Sequence, residues 1–397
     1  MSASAQPVSA GSLRTGRAAA LVHLDAATLA LTAGIVLLGL VMVTSASVSI
    51  AAQETGQPFY YLERQLLLTL IGIVCAALVF SLRTELLERI SVALLAVAIV
   101  LLVIVLVPGV GHAVNGGRRW LRFGGVNFQP SELARVLVLI YIASYAVRRE
   151  TELRETLMGL VKPLGLLFLV GVLLMLEPDF GAATVLFATG FGLLFLAGAR
   201  LRYVIAMTAI AAAGFGALAV SSGYRLRRMT AFLDPWADPF HSGFQLTQSL
   251  IAIGRGQWFG VGLGDSVQKL FYLPEAHTDF LFAVLAEELG LLGVALTLAL
   301  FLGLVWRSFH IARLAASTGL KFPAYLASGF GLWVGIQAFI NIGVNMGVLP
   351  TKGLTLPFMS YGRSSMIVAL AWLGLLLRVY HEASARQRGA ATVRSGP

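Results

Sequence analysis

Long apolar tracts run through the chain, divided by short polar breaks and two long ones. A helix needs about 20 mostly apolar residues to cross a bilayer. Ten tracts approach or exceed that length, near 26–48, 62–82, 88–107, 131–147, 161–177, 181–199, 201–221, 280–305, 322–347 and 359–380. The pattern predicts an all-α integral membrane protein of ten transmembrane helices, in a membrane domain over 21–383. Tails at 1–20 and 384–397 are polar and rich in small residues, and are expected to be mobile. The fifth and sixth tracts meet at Glu177-Pro178-Asp179, where two acids and a proline cannot continue one helix through hydrocarbon, so a tight re-entry is expected. The first tract follows Arg14 and Arg17, as a signal peptide would. Its uncharged stretch from Ala26 to Val43 exceeds the roughly 7–15 residues of a signal core, which favours a retained anchor. No internal repeat, low-complexity tract or soluble domain is evident.

Composition supports the lipid reading. Of 397 residues, 58% are hydrophobic and 12% charged, where a soluble domain carries roughly 25% charged. A cytosolic enzyme, a disordered chain and a disulfide scaffold are excluded on these grounds. The single cysteine, Cys75, lies in an apolar run and is expected to pack. The net charge of +10 is accounted for by topology, and no nucleic-acid partner is expected. With the N-terminus inside, 17 of the 29 Lys and Arg fall in cytoplasmic segments and 12 outside. Every inside loop is basic, so both termini are expected in the cytoplasm, with the protein in the cytoplasmic membrane. The outside charges gather near 108–130, 222–279 and 348–358, among glycines, acids and Trp120, Trp236 and Trp258. The loop near 222–279, between helices 7 and 8, is too long and too structured in composition for a linker, so a functional role is expected.

Three constellations bear chemistry. The first is Phe271-Tyr272-Leu273-Pro274-Glu275-Ala276-His277-Thr278-Asp279-Phe280, at the mouth of the eighth span. Thr278 or Asp279 is placed to cap that helix. Three titratable groups at a membrane boundary also suit a general base, because burial there raises a carboxylate pKa. Glu287 and Glu288 follow inside the apolar helix, where an acid marks function by default. No second His stands at zinc-ligand spacing. The second constellation, Gly116-Gly117-Arg118-Arg119-Trp120-Leu121-Arg122, leads to Gln129-Pro130-Ser131-Glu132 and Arg135. Arginine beside tryptophan makes an interface anchor. Arginine forks among glycines equally make an anion receptor. The third runs from Asn341 and Asn345 through Pro350-Thr351-Lys352-Gly353 to Ser360-Tyr361-Gly362-Arg363. Its glycines and prolines imply irregular backbone facing a cavity. The two asparagines, one turn apart, are equally suited to bonding a neighbouring helix.

These motifs, with Glu177-Pro178-Asp179-Phe180-Gly181 and Ala286-Glu287-Glu288-Leu289-Gly290, resemble the SEDS family of FtsW and RodA over roughly 26–380. Val41-Met42-Val43-Thr44-Ser45-Ala46-Ser47 and Thr351-Lys352-Gly353-Leu354-Thr355-Leu356-Pro357 look more like the FtsW branch. The resemblance implies a ten-helix peptidoglycan glycosyltransferase that polymerises lipid II at the outer face of the cytoplasmic membrane. It implies work at the division septum with a class B penicillin-binding protein transpeptidase and other divisome membrane proteins. By motif, Asp279 falls on the family's catalytic Asp and Lys352 on a functionally important position. Substrate contacts are expected from Arg118, Arg119, Arg122, Glu132, Arg135, Glu177, Asp179, Gln245, Glu275, His277, Glu287 and Arg363. Phe271 stands where some relatives carry an acid. Arg363 stands where many carry glycine, as a phosphate contact or a snorkelling side chain.

The chemistry fits those residues. A sugar hydroxyl is a weak nucleophile and needs a carboxylate base. A lipid pyrophosphate leaving group needs positive charge or a divalent cation, Mg or Mn, and no organic cofactor is expected. A lipid II flippase and a scaffold that only recruits the transpeptidase are the competing classes. A flippase needs a polar path into the cytoplasmic half, whereas the polar residues here gather at the outer end.

Overall fold

The computed structural model describes residues 23–114, 117–123, 126–220, 232–351 and 353–394. All ten apolar tracts are helical. They form α1 (Ala26–Thr55), α2 (Tyr60–Ser81), α4 (Ser91–Leu106), α5 (Pro130–Arg148), α7 (Leu157–Leu176), α8 (Phe180–Leu196), α9 (Leu201–Val220), α11 (Leu281–Ser317), α12 (Lys321–Asn345) and α13 (Arg363–Arg394). Two one-and-a-half-turn helices, α3 (Thr84–Arg89) and α6 (Glu150–Glu155), and an amphipathic α10 (Phe244–Gly256) fill connections. Among the described residues, seven helices are long and apolar enough to cross a membrane, while α4 and α8 are apolar but shorter. Large apolar side chains such as Leu37, Leu78 and Leu302 point outward with more than 60% of their surface exposed. That surface is stable only against lipid, so the protein is a multi-pass membrane protein.

Several elements differ from the expectation. The connection at 108–130 is not irregular: β1 (His112–Val114), β2 (Gly117–Phe123) and β3 (Val126–Phe128) form an antiparallel sheet in the order β1-β2-β3. Leu121 lies opposite Phe128 and Arg122 opposite Asn127. The expected C-terminal tail from 384 is helical to Arg394, continuing α13. Its alanines, arginines and glutamine are good helix formers and extend a helix already started in the membrane. Residues 1–22, the first part of the long loop at 221–231, and Lys352 lie outside the described residues.

The largest correction concerns the eighth span. Gly290 has φ of 62° and ψ of −159°, which breaks α11 into a short first segment, 281–289, and a long second one. A break inside a bundle frees backbone groups that must find partners. They find them on the residues after α10. Val261 N donates to Glu287 O at 2.9 Å, Gly262 N donates to Glu288 O at 3.2 Å, and Leu291 N donates to Gln257 O at 2.9 Å. The approach is so close that a Cβ on Gly260 would lie 2.0 Å from Glu288 O, and one on Gly290 would lie 2.3 Å from Gly260 N. Glycine is required at both positions by contact and by positive φ.

An aromatic cluster holds the other side of the site. Trp333 of α12 stacks on Trp372 of α13 with centroids 4.9 Å apart, and Phe330 and Phe358 pack against the pair. Such pairs contribute roughly 0.5–1.5 kcal/mol each beyond area burial. They fix α12 and α13 against the irregular chain between them.

Candidate active site

The polar connections at one end of the bundle converge on the segment 353–355. A Cβ built on Gly353 would lie 2.8 Å from the Asp279 carboxylate, and one on Gly181 would lie 3.1 Å from Gly353 O. The segment therefore runs between the N-terminal end of α8 and Asp279, which is half-buried. Helix α12 holds it through a face of amides spaced by four. Gln337 Nε2 donates to Thr355 O at 2.9 Å, and Asn341 Nδ2 donates to Leu354 O at 2.5 Å. Asn341 Nδ2 and Asn345 Nδ2 both donate to Asp279 O, at 2.8 and 3.1 Å. The asparagines thus bond the chain on either side of the site, and not simply a neighbouring helix.

The capping role expected of Thr278 or Asp279 goes elsewhere. The N-cap residue of α11 is Phe280, with no side-chain cap bond. Thr278 Oγ1 instead donates to the Glu275 carboxylate at 2.7 Å. Glu275 takes a φ of 56°, uncommon for a residue with a Cβ, and its carbonyl accepts from the N–H groups of Thr278 and Phe280. His277 packs between Tyr61 and Tyr361, with ring centroids 4.6 and 5.6 Å away. Burial holds its pKa below the usual imidazole value, so the ring is neutral at physiological pH.

On β2 the side chains alternate between faces. Leu121 is buried and Arg119 half-buried on the face toward the bundle, while Arg118 and Arg122 are exposed. The three arginines do not form one receptor; Arg119 alone turns inward. Its Nε donates to Glu177 O at 3.0 Å. Asp179 caps α8, accepting from Ala182 N at 3.0 Å, and ties in α5 by accepting from Gln129 Nε2 at 2.8 Å and Ser131 Oγ at 3.0 Å. Gln129 N donates to Ser364 Oγ at 3.1 Å, which draws the half-buried Arg363 at the start of α13 toward the same region.

Glu177, in the turn between α7 and α8, is wholly buried, and among the described residues neither carboxyl oxygen has a hydrogen-bond partner. Burial pushes its pKa up to about 9, Asp179 adds to the rise and Arg119 opposes it. At neutral pH Glu177 is therefore a neutral acid, and the adjacent Arg119 charge is not cancelled. The folded state keeps a proton that the unfolded state loses above its ordinary value near 4.5. Stability thus falls as pH rises from about 4.5 toward about 9. Glu177→Gln, a permanent neutral mimic, is expected to melt at a higher temperature than the wild type at pH 8 and at an equal one near pH 4. A wild-type advantage at pH 8 would show that the carboxylate is ionised and paired.

Other expected contacts take structural places. Arg135 is 2% exposed, ion-paired with Glu132 and bonded to Gln337 Oε1 at 3.2 Å. Arg135 is tied to the site segment through Gln337, and Glu132 through Arg135. Glu287 is fully buried and bonded to Arg255 at 3.0 Å, Ser266 Oγ and the N–H groups of Val267 and Gln268. Its neighbour Glu288 pairs with buried Lys269 at 2.8 Å and accepts from Ser45 Oγ of α1 at 2.7 Å. These acids anchor the loop to the broken helix. Gln245 is half-buried on α10. Gln337, Ser45 and Lys269 carry much of the assembly without having been singled out; polar residues in or beside apolar helices were the available signal for the first two. Among the described residues no three His, Cys, Asp or Glu side chains converge to hold a metal ion.

A polytopic helical bundle with a clamped aspartate and an inward arginine at one end defines a membrane protein whose chemistry lies at the membrane boundary. The chain matches the family described as cell cycle protein, that of FtsW, RodA and SpoVE, over residues 25–385, and it belongs to that family. The probable peptidoglycan glycosyltransferase FtsW of Thioalkalivibrio sulfidiphilus is 55% identical over 360 residues, 91% of this chain and 88% of that one. Its counterpart in Nitrosococcus halophilus is 56% identical over 342 residues, 86% and 88% of the two chains. A chain in a solved peptidoglycan synthase complex that coordinates polymerization and crosslinking is 31% identical. It superposes with a TM-score of 0.75, covering 91% of this chain and 99% of that one. The rod shape determining protein RodA of Thermus thermophilus is 30% identical with a TM-score of 0.68, covering 91% and 98%.

Proposed function

We propose that the protein is a peptidoglycan glycosyltransferase that polymerises lipid II at the outer face of the cytoplasmic membrane. The observation that carries this reading is the Asp279 carboxylate set against Gly353, the residue after Lys352, at a bundle end lined by Arg119 and Arg363. Asp279 accepts the proton from the acceptor sugar hydroxyl. The hydroxyl oxygen bonds to the donor's anomeric carbon as the bond from that carbon to the lipid pyrophosphate breaks, with inversion. The pyrophosphate leaves carrying its electron pair, and Arg119 and Lys352 stabilise the added charge. A divalent cation, Mg or Mn, would arrive on the substrate's phosphates. The strong identity to proteins named FtsW supports septal synthesis, and the basic inside loops support both termini in the cytoplasm. The relative within a synthase complex supports pairing with a class B penicillin-binding protein, alongside other divisome membrane proteins.

The test is lipid II polymerisation by the purified protein, with and without its transpeptidase partner. Glycan strands made with the partner support the reading. Transbilayer movement of lipid II without strand synthesis would favour the flippase reading instead. Within that assay, Arg119→Lys keeps the charge and loses the planar fork. Lipid II binding is expected to weaken by about tenfold, the loss of roughly one charge-assisted hydrogen bond. Equal binding by the wild type, Arg119→Lys and Arg119→Ala would make Arg119 an interface anchor.

A further inference from the structure

We propose that Asn341 and Asn345 are positioning residues that place the catalytic aspartate by gripping its main chain from another helix. The inference rests on the reading of Asp279 as the base. A helix start leaves its first N–H groups unpaired, and an N-cap side chain normally accepts from the second or third of them. Helix α11 begins after Phe280, which has no oxygen in its side chain to accept. The third N–H, that of Ala283, is shared between Phe280 O at 3.0 Å and Asn345 Oδ1 at 3.2 Å. Asn345, 62 residues further along the chain, is a cap supplied in trans. The side-chain acceptor that an Asp or Thr supplies in an ordinary helix start comes here from outside, beside the local bond to Phe280 O.

The same amide does a second job. Asn345 Nδ2 donates to Asp279 O at 3.1 Å, so one side chain spans the helix start and the residue before the cap. Asn341 Nδ2 donates to that carbonyl at 2.8 Å and also to Leu354 O. It thereby sets the spacing between Asp279 and the segment that follows Lys352. The main chain that carries them is tied in too, while Asn341 Oδ1 is buried with no hydrogen-bond partner among the described residues. Asn345 Nδ2 also donates to Asn341 O at 2.8 Å, Ser249 Oγ of α10 donates to Asn345 O at 2.8 Å, and Gln337 one turn back holds Thr355 O. Asn341 is 2% exposed and Asn345 fully buried, so neither grip competes with water. A donor aimed at the main-chain carbonyl orients the carboxylate without bonding to it. Displacing a catalytic group by about 1 Å can cost on the order of a hundredfold in rate.

The experiment measures kcat, KM for lipid II and melting temperature in the full-length protein with its partner, for Asn341→Ala, Asn345→Ala, Asn345→Gln and Asp279→Asn. The positioning role predicts that Asn341→Ala loses kcat by about tenfold or more with KM changed less than twofold. Asn345→Ala, which removes cap and grip together, should lose more. Asn345→Gln, which keeps an amide donor and acceptor, should recover part of the rate. Should the alanine variants fail to fold, Asn345→Leu, which keeps the volume and loses the amide, decides: a lowered kcat at unchanged KM in the folded variant supports positioning, and wild-type kcat overturns it. Wild-type kcat in folded Asn341→Ala, or a fall in activity that only follows the folded fraction, would also overturn the inference. If Asp279→Asn is inactive while the asparagine variants are normal, the positioning role alone fails. If Asp279→Asn is active, the base assignment fails.

Discussion

Asp279→Asn is expected to abolish strand synthesis, lowering kcat by about a hundredfold to ten-thousandfold, the range for loss of a general base. The substitution is close to isosteric. The amide bonds from Asn341 and Asn345 go to the main-chain carbonyl and are kept. The α11 start is capped by Asn345 Oδ1, so the helix loses no cap either. Partner binding should therefore match the wild type, and the effect should fall on chemistry. Glu275 is poorly placed to substitute, being exposed and turned onto Thr278 Oγ1. Polymerisation by pure Asp279→Asn protein at near the wild-type rate would move the base to another residue.

The largest stability effect is expected away from the aspartate. Lys269 Nζ is surrounded by Glu288 Oε1 at 2.8 Å, Ser45 Oγ at 2.9 Å and Gly264 O at 2.7 Å, and the Lys269 side chain is 8% exposed. Removing one partner of a buried pair leaves the other charge uncompensated and costs about 3–5 kcal/mol. Lys269→Met should destabilise the protein by about that amount, since Ser45 alone cannot balance the Glu288 carboxylate. The double substitution Lys269→Met with Glu288→Gln removes both charges and should recover most of the loss. Thermal unfolding in one detergent, with monodisperse yield as a second measure, reads both. Wild-type stability in the single variant would show that water reaches Glu288. A double variant no better than the single one would place the cost in packing.

The helices were legible because lipid imposes a length and an apolar composition on each. The turn at Glu177 to Asp179 was legible because acids and proline cannot continue a span. The sheet was not, since β2 alternates only over a few residues and its arginines suggested anchoring or anion binding before pairing. That same alternation would have separated Arg119 from Arg118 and Arg122. The break at Gly290 left no mark, because an isolated glycine in an apolar run is common within a continuous helix. Its cause is the chain at 257–262, which supplies partners only in three dimensions. Asp279 was found through its motif. The amides that hold it looked like ordinary interhelical polar contacts, because their target lies about 60 residues upstream.

The break at Gly290 also sets an order of assembly. The chain emerges from its N-terminus, and the partners for the freed groups at 287, 288, 291 and 292 all precede them, at 257–262. The broken helix can therefore be completed as soon as it enters the membrane, without waiting for later sequence. Asp279 cannot, because the amides that grip its carbonyl lie on the following span. A nascent chain that has inserted α11 but not α12 holds a finished scaffold around an unplaced base. Competence for chemistry thus arrives late in biosynthesis, after most of the membrane anchor is in place.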